Sequence, residues 1–278
     1  MEMQEAIILY HGNFGRLTIR HVNGDLVTHA HGDVHVILWL DGEAGEMTIG
    51  CRKVTPCESF AIGVNSFEPH DHIMPANKTG MFLAFYIEPD WAHQRLKLDP
   101  SVAIFADPMV RLDASAAELV DRLVGGLTEG GDLHNVQSHE VVAFIDRIFS
   151  AAETDRQRQR HLGRIPAARD FRIRKAIALM NANLTARMSF DEVARSVGLS
   201  RPHFFTLFKE QMHVTPNIYW NMLRMQEALL HVQSGEERLT EIAVDLGFTS
   251  QSNFSRFFRE HVGVPPAVYR SAARSLAV

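Results

Sequence analysis

The sequence is poor in cysteine and has no long hydrophobic run. Cys51 and Cys57 are its two cysteines, too few for the disulfide framework of small secreted proteins. No basic stretch leads into a long apolar segment near the N-terminus, as a signal peptide requires. The longest apolar segments, around residues 36–40 and 81–87, are far short of the ~20 residues needed to cross a bilayer. We therefore expect a soluble, cytoplasmic protein with no membrane partner.

Charge is distributed unevenly along the 278 residues. Residues 1–155 carry 10 Lys and Arg against 23 Asp and Glu, a net of −13, whereas residues 156–278 carry 18 against 10, a net of +8. A basic half joined to an acidic half is typical of a nucleic-acid-binding domain fused to a second domain. Uneven charge is also common in other two-domain proteins. Charge alone therefore does not identify a nucleic-acid-binding domain, and a sequence motif is needed.

A repeat near the C-terminus supplies such a motif. Residues 191–198 and 240–247 are offset by 49, and from Ser200 and Ser250 onward the offset is 50 because Thr249 is inserted in the turn. Each copy has a small residue where two helices cross, a turn glycine and a serine at a helix N-terminus: Ala194, Gly198 and Ser200, then Ala243, Gly247 and Ser250. This order is typical of a helix-turn-helix unit. Two units in tandem predict binding to two stretches of one DNA duplex.

The remaining pattern predicts an α+β protein of two domains. Short β-prone runs separated by turn residues indicate a small β-barrel or sandwich, with strands at 6–10, 17–21, 35–40, 46–51, 59–64 and 82–87. Helical periodicity follows at 114–127, 137–152, 171–183 and 216–233. We assign three segments: a cupin-like effector-binding and dimerisation domain with trailing helices (1–155), a linker (156–169), and an all-α DNA-binding domain whose two helix-turn-helix units are joined by a long helix (170–278).

The helices expected to enter the DNA major groove are 201–212 and 251–261. The core face is assigned to Phe204, Leu207 and Phe208 in the first helix and to Phe254, Phe257 and Phe258 in the second. Ten other residues point outward as DNA-contact candidates: Arg201, Pro202, Phe205, Thr206, Lys209, Gln251, Ser252, Ser255, Arg256 and Arg259. Arg256 matches guanine and Gln251 matches adenine in hydrogen-bonding pattern. A phosphate contact or a solvated surface position is the alternative for each of them.

Residues 171–270 resemble the AraC/XylS family of bacterial transcription regulators. The resemblance is densest in the second unit, from Glu241-Ile242-Ala243 through Gly247-Phe248-Thr249-Ser250 to Tyr269-Arg270. In the first unit His213 stands where the family usually has glycine, which predicts a strained turn. The resemblance implies a transcription factor, commonly an activator. Its partners would be double-stranded promoter DNA, RNA polymerase, a small-molecule effector and a second copy of the chain.

The N-terminal half contains histidines that resemble the first cupin motif. His29-Ala30-His31 fits that motif together with Gly24 and Gly42, but His35 stands where metal-binding cupins have glutamate. A metal on His29, His31, His35 and His70 would favour Zn or Ni over Mn, because imidazoles replace the carboxylate. We favour the other interpretation, an organic-effector pocket without a cofactor, lined by His29, His31, His35, Trp39, Phe67, His70 and His72.

Two functions of different classes fit these patterns. The first is a sequence-specific DNA-binding transcriptional regulator, an activator and not an enzyme, that responds to a small molecule inside the cupin barrel. The alternative is a metal-dependent cupin enzyme, dioxygenase-like, with accessory DNA-binding repeats. Helix 137–152 is apolar around much of its circumference, which predicts pairing of two chains in the N-terminal half.

Overall fold

The chain folds into a strand-rich N-terminal part and a helical C-terminal part, which confirms the predicted fold class. A computed structural model describes residues 7–128, 138–158, 170–184 and 189–274. The strands among them are β1 (Ile7–Gly12), β2 (Gly15–Val22), β3 (Leu26–His29), β4 (Val34–Gly42), β5 (Glu46–Ile49), β6 (Arg52–Val54), β7 (Phe60–Val64), β8 (His70–Ile73), β9 (Gly80–Ile87) and β10 (Met109–Arg111). The helices of this part are α1 (Pro89–Leu96), α2 (Ala114–Thr128) and α3 (Ser138–Arg158).

The strands form two antiparallel sheets that pack face to face. The larger sheet has the order β1-β2-β9-β4-β7-β10 and the smaller has the order β3-β8-β5-β6. Because side chains alternate along a strand, β4 directs Ile37 into the core between the sheets and Val36 and Leu38 to the opposite face. Residues of α1, α2 and α3 cover that opposite face, so the larger sheet is buried on both sides.

The sequence pattern does not reveal β3, β6, β8, β10 or α1. The residues of β6 are Arg52-Lys53-Val54, at the edge of the smaller sheet, where charge discourages pairing with other chains. β8 carries two histidines and an aspartate instead of an alternating apolar pattern. α1 begins at Pro89, and proline suits the first helical position because the nitrogen there needs no hydrogen to donate.

The apolar residues of α3 are used inside the chain. Val141, Phe144, Ile145 and Phe149 are each at most 1% exposed. The ring of Phe144 stacks on that of Phe85 in β9, with 5.1 Å between centroids. The wide apolar surface that predicts pairing between chains therefore covers the larger sheet instead. The homodimer stays a prediction, but α3 no longer supports it.

The C-terminal part confirms both predicted helix-turn-helix units. Its helices within the described residues are α4 (Phe171–Ala182), α5 (Phe190–Ser196), α6 (Arg201–Met212), α7 (Pro216–Ser234), α8 (Leu239–Asp245), α9 (Gln251–Val262) and α10 (Pro266–Arg274). The units are α5–α6 and α8–α9, and α7 joins them. Ala194 and Ala243 are each 1% exposed. Gly198 and Gly247 both have φ of +72°, a conformation that glycine adopts without steric cost.

The predicted domain boundaries fall near the ends of helices. α3 ends at Arg158, three residues beyond the boundary at 155, and residues 159–169 of the predicted linker lie outside the described residues. Asp170 is the N-cap of α4, and its carboxylate accepts a hydrogen bond from the backbone N–H of Arg172 at 2.8 Å. A helical domain that begins at residue 170 agrees with this cap, and the exact division stays a prediction.

The two parts of the chain share core residues. Leu9 of β1 is 1% exposed and lies in the core of the second helix-turn-helix unit, and Ala30 lies in the core of the first. Just after α9, Gly263 has φ of +86°, and a Cβ there would stand 2.9 Å from the guanidinium of Arg20 in β2. The β-sheet part and the helical part therefore pack directly against each other.

Strain at the end of α6 gives a first testable prediction. His213 has φ of +56°, the left-handed conformation that the sequence predicts, whereas Gly263 holds the equivalent position after α9. We expect His213→Gly to raise the free energy of unfolding by up to about 1 kcal/mol, because a left-handed non-glycine residue costs about 1–2 kcal/mol and the more flexible unfolded glycine chain offsets part of that. Urea denaturation followed by circular dichroism measures the change.

His213→Ala is the matched control for this experiment. Alanine removes the imidazole but keeps a Cβ in the left-handed conformation, so no stabilisation is expected. Equal stabilisation by glycine and alanine would show that the imidazole, and not the backbone, is the source of the strain.

Candidate nucleic-acid interface and effector cavity

The outward faces of α6 and α9 carry most of the residues predicted to contact DNA. The exposed candidates are Arg201, Pro202, Thr206, Lys209, Gln251, Ser252, Arg256 and Arg259, and the half-buried ones are Phe205 and Ser255. His203 is exposed on the same face of α6 and does not stand out in the sequence. His203 becomes a candidate DNA contact because it lies in the first turn of α6, next to Pro202.

In the first unit, two of the candidates also serve the fold. The ring of Phe205 packs edge-on against Phe190 at 5.6 Å and Phe204 at 5.9 Å. The guanidinium of Arg201 lies 5.4 Å from the centre of the Phe205 ring and forms an ion pair with Asp191 at 3.1 Å. Both side chains therefore stabilise the α5–α6 pairing, which leaves Pro202, Thr206 and Lys209 as the less constrained candidates on α6.

In the second unit, the first two turns of α9 are free to face DNA. Gln251 and Arg256 are exposed, and Arg256 contacts Asn253, with 3.4 Å between its Nη2 and the amide oxygen. Arg224 of α7 holds the preceding turn, because its guanidinium donates to the Leu246 carbonyl at 2.7 and 3.0 Å. The same guanidinium lies 3.8 Å from the centre of the Phe248 ring. Arg224 thus couples the long helix to the orientation of α9.

The C-terminal end of α9 faces the β-sheet part of the chain. Arg259 donates to the Asn23 side chain at 3.5 Å, although the sequence places it among the DNA contacts. His261 is 7% exposed, and its ring lies 5.8 Å from that of His29. The beginning of α9 therefore remains available to DNA while its end contacts the other domain.

A cavity of about 410 Å³ lies between the two parts of the chain. The larger sheet contributes Arg16, Thr18, Arg20 and Tyr86, and β3 with the residues after it contributes His29, Ala30, His31 and Asp33. α7 supplies an apolar wall that includes Met222, Leu223, Met225 and Leu229, and His261 and Tyr269 close the side near α9 and α10. This volume is in the range of small-molecule sites.

The polar wall of the cavity contains a buried cation, Arg20, that forms no ion pair with any residue that the structure describes. Arg16 pairs with Asp33 at 3.2 Å and lies 4.1 Å from the centre of the Tyr86 ring. Arg20, in contrast, is 6% exposed, and its Nε has no hydrogen-bond acceptor among the described residues. The hydroxyl of Thr18 also has no partner there. A buried charge is costly unless it is paired, so this pair of donors suits a negatively charged group.

The space between the two sheets is much smaller than the cavity between the two parts of the chain. The void that His35, His70 and His72 line has a volume of about 20 Å³, room for about one water molecule. Trp39 packs in the core between the sheets, and Phe67 packs on the core of the first helix-turn-helix unit. Of the residues predicted to bind the effector, His29 and His31 reach the larger cavity. Of the two spaces, the larger thus lies between the two parts of the chain, whereas apolar side chains fill most of the space between the sheets.

The histidines of this region are neutral near physiological pH. Burial, reinforced by the closeness of the other imidazoles, lowers the pKa values of His29, His31 and His35 well below the usual value. Burial lowers the pKa of His70 to about 4. Their rings therefore offer lone pairs and N–H donors instead of positive charge.

The comparison of the helical domain with known proteins identifies its family. Residues 193–272 match the family model described as a helix-turn-helix domain. The regulatory protein SoxS from Escherichia coli is 31% identical over 98 residues, which are 35% of this chain and 92% of SoxS. The chain belongs to the AraC family. The relatives named here are transcriptional regulators, and they do not support the metal-dependent enzyme considered from the sequence.

Other relatives match a smaller part of their own length. The regulator GbdR from Pseudomonas aeruginosa is 34% identical over 95 residues, 34% of this chain and 26% of GbdR. ArgR from the same organism is 29% identical over 145 residues, 52% of this chain and 43% of ArgR. This AraC-family chain therefore matches less than half the length of these two relatives.

The whole fold of this AraC-family chain resembles that of ToxT from Vibrio cholerae. A structure of ToxT bound to an unsaturated fatty acid aligns with a TM-score of 0.56 and 13% identity, covering 94% of this chain and 96% of ToxT. The arrangement of a strand-rich domain followed by a helical one is thus shared.

No helix that the structure describes is both long and apolar enough to span a membrane.

The cavity residues Arg16, Thr18 and Arg20 are absent from the sequence prediction. A period of two marks them: they alternate along β2 with Leu17 and Ile19, which are buried in the core beneath the helices. Two arginines and a threonine on one face of an otherwise apolar strand are the signal for a polar wall. The sequence analysis instead places its effector-binding candidates on the histidine motif, which begins in the next strand.

Proposed function

We propose that this AraC-family protein is a DNA-binding transcriptional regulator, which activates transcription in response to a small carboxylic acid with an apolar body, bound in the cavity between its domains. The observation that carries the proposal is the buried Arg20, whose Nε has no hydrogen-bond partner among the described residues, beside the Thr18 hydroxyl, which also has none there. A carboxylate accepts hydrogen bonds from both donors, and a charge-assisted hydrogen bond is among the stronger ones in proteins. Met222, Leu223 and Leu229 on the opposite wall suit the apolar body.

The position of the cavity links its occupancy to DNA binding. α7, which joins the two helix-turn-helix units, forms the apolar wall, and His261 of α9 lies at one side. A ligand that binds one arrangement of these helices more tightly shifts the population toward that arrangement. The structural relative ToxT also supports the choice of ligand class, since its structures hold an unsaturated fatty acid and an aryl-butenoic acid. We infer that the effector changes the relative placement of α6 and α9.

Two further partners follow from the family resemblance alone. Activation requires contact with RNA polymerase, and the family resemblance implies a homodimer. Neither depends on the cavity, and the surface of α3 is occupied within the chain.

Calorimetric titration of the full chain with decanoate, oleate and 4-phenylbutanoate tests the proposal. Each acid is compared with its primary alcohol, which has the same apolar body and no charge. At least one acid is expected to bind much more tightly than its alcohol. In Arg20→Met, which keeps the side-chain volume but removes the charge, affinity for that acid is expected to fall by about 10- to 150-fold, as hydrogen bonds to charged groups are worth about 1.5–3 kcal/mol.

Arg111→Met is the control, because Arg111 is an exposed arginine at the end of β10, away from the cavity. Its affinity for the acids is expected to equal that of the unaltered chain. If acids and alcohols bind equally, or if Arg20→Met and Arg111→Met bind the acids alike, Arg20 does not receive a carboxylate and the proposal fails.

A further inference from the structure

Three histidines converge where β3 and β8 meet the interdomain cavity. The ring centroids of His29 and His70 are 4.3 Å apart, and those of His31 and His70 are 5.0 Å apart. One ring nitrogen from each of the three lies within 4.8 Å of the other two. His35 stands behind them, with its ring 5.0 Å from that of His31, and its nitrogens are not part of this set. The convergent group thus differs from the four-histidine set that the sequence suggests.

Backbone carbonyls fix the proton on each of the three rings. Nδ1 of His29 is 2.7 Å from the Val27 carbonyl, Nδ1 of His31 is 3.1 Å from that of Asp33, and Nδ1 of His70 is 2.9 Å from that of Glu68. A carbonyl oxygen only accepts, so Nδ1 donates in each case and Nε2 keeps its lone pair. Carbonyl partners of this kind orient the histidines of metal sites in proteins and raise their basicity as ligands.

Two of the three Nε2 atoms, those of His31 and His70, are left without a hydrogen bond in the described part of the chain. Both atoms are buried. Buried polar atoms are rarely left unsatisfied, so such atoms call for an explanation. Three lone pairs that face one another repel, and a cation between them satisfies all three.

We propose that His29, His31 and His70 bind one transition-metal ion of the Zn²⁺ class. Neutral imidazole is a preferred ligand of Zn²⁺, Ni²⁺ and Cu²⁺, and three protein ligands leave a coordination position open. A Zn–N distance is about 2.0–2.1 Å, so small rotations of the rings bring all three nitrogens onto one ion. His29 and His31 line the interdomain cavity, so the open position faces it, beside His261 of α9.

Two charged side chains near the three histidines have opposite effects on the binding of a cation. The positive charge of Arg20 lowers the pKa of His70 and disfavours a second cation, whereas the negative charge of Asp71 raises that pKa and favours one. An anion in the open position, such as hydroxide or chloride, offsets the repulsion from Arg20. The inference does not rest on the proposed carboxylic acid effector, since the metal site is complete without it.

Metal analysis of the full chain, purified without a polyhistidine tag, tests the proposal. The protein is dialysed with Zn²⁺ and then against metal-free buffer, and bound zinc is counted by mass spectrometry. We expect about one Zn²⁺ per chain and a higher melting temperature with the ion than without it. His29→Gln and His70→Gln are each expected to weaken Zn²⁺ binding at least tenfold, since altering even a residue behind a metal ligand costs 10- to 100-fold.

Two controls separate a metal site from incidental binding. His11→Ala removes an exposed imidazole from β1 and is expected to retain full zinc. Arg111→Met removes an exposed guanidinium at the end of β10, away from the three imidazoles, so it is also expected to retain zinc. Circular dichroism verifies that the glutamine variants are folded. Failure of the unaltered chain to retain Zn²⁺, or equal retention by folded His70→Gln and by His11→Ala, would overturn the proposal whatever the outcome with carboxylic acids.

Discussion

Replacing Arg256 with alanine is expected to weaken binding to the native operator by about 5- to 150-fold while leaving binding to random DNA almost unchanged. Arg256 is exposed in the first half of α9, the part of a recognition helix that meets base edges, and its contact with Asn253 holds the guanidinium at that face. A bidentate arginine–guanine contact is worth about 1–3 kcal/mol of discrimination, which corresponds to that range of affinities. Gel-shift titrations on operator and scrambled duplexes measure both affinities.

Arg122→Ala provides the comparison for the loss of one positive charge. Arg122 lies on α2, on the far side of the β-sheet domain from the recognition helices, and pairs with Glu140. No change on either duplex is expected. Equal weakening of Arg256→Ala on operator and scrambled DNA would show a phosphate contact, and the base-reading role of Arg256 would then be wrong.

Phe258→Ala is expected to produce the largest loss of stability, about 3–5 kcal/mol. Phe258 is fully buried in the core of the second helix-turn-helix unit. Its ring packs against Phe254 at 6.0 Å and against Tyr269 of α10 at 5.6 Å. Alanine leaves a cavity that the surrounding helices cannot fill, and the lost contacts act on α9 directly. Urea denaturation measures the loss of stability.

The matched control is Phe171→Ala. Phe171 is 67% exposed at the start of α4, so the same change of side chain removes little buried surface there. A change within about 0.5 kcal/mol is expected. Similar losses for both variants would mean that burial in the described core does not decide the stability of the second unit.

The helix-turn-helix units are predictable from sequence because their signals are local. Gly198 and Gly247 mark turns that require positive φ, and Ala194 and Ala243 mark close helix crossings, all within about ten residues of the helices they define. Ser250 accepts a hydrogen bond from the Asn253 N–H as the cap pattern predicts, whereas Ser200 occupies the N-cap position without a side-chain hydrogen bond. Local patterns thus place helices better than they place individual hydrogen bonds.

The interdomain cavity is not predictable in the same way. Its walls come from β2, α7 and α10, and some 200 residues or more separate β2 from α10 along the chain. A local sequence pattern does not predict contacts over such distances. The apolar surface of α3 misleads for a related reason: the pattern shows how much surface is buried but not whether the partner is a sheet of the same chain.

The packing of α10 against the first strands also sets an order of events during synthesis. Arg16 near the start of the chain and Tyr269 near its end line the same cavity, and Leu9 completes the core that contains Tyr269. Chains are made from the N-terminus and domains tend to fold as they emerge, so the sandwich can form while the last wall of the cavity is still untranslated. A ribosome-bound chain that stops before α10 would therefore have a folded first domain and no complete receptor for a ligand. The proposed effector therefore finds its complete site only after α10 has been translated and has packed against the cavity.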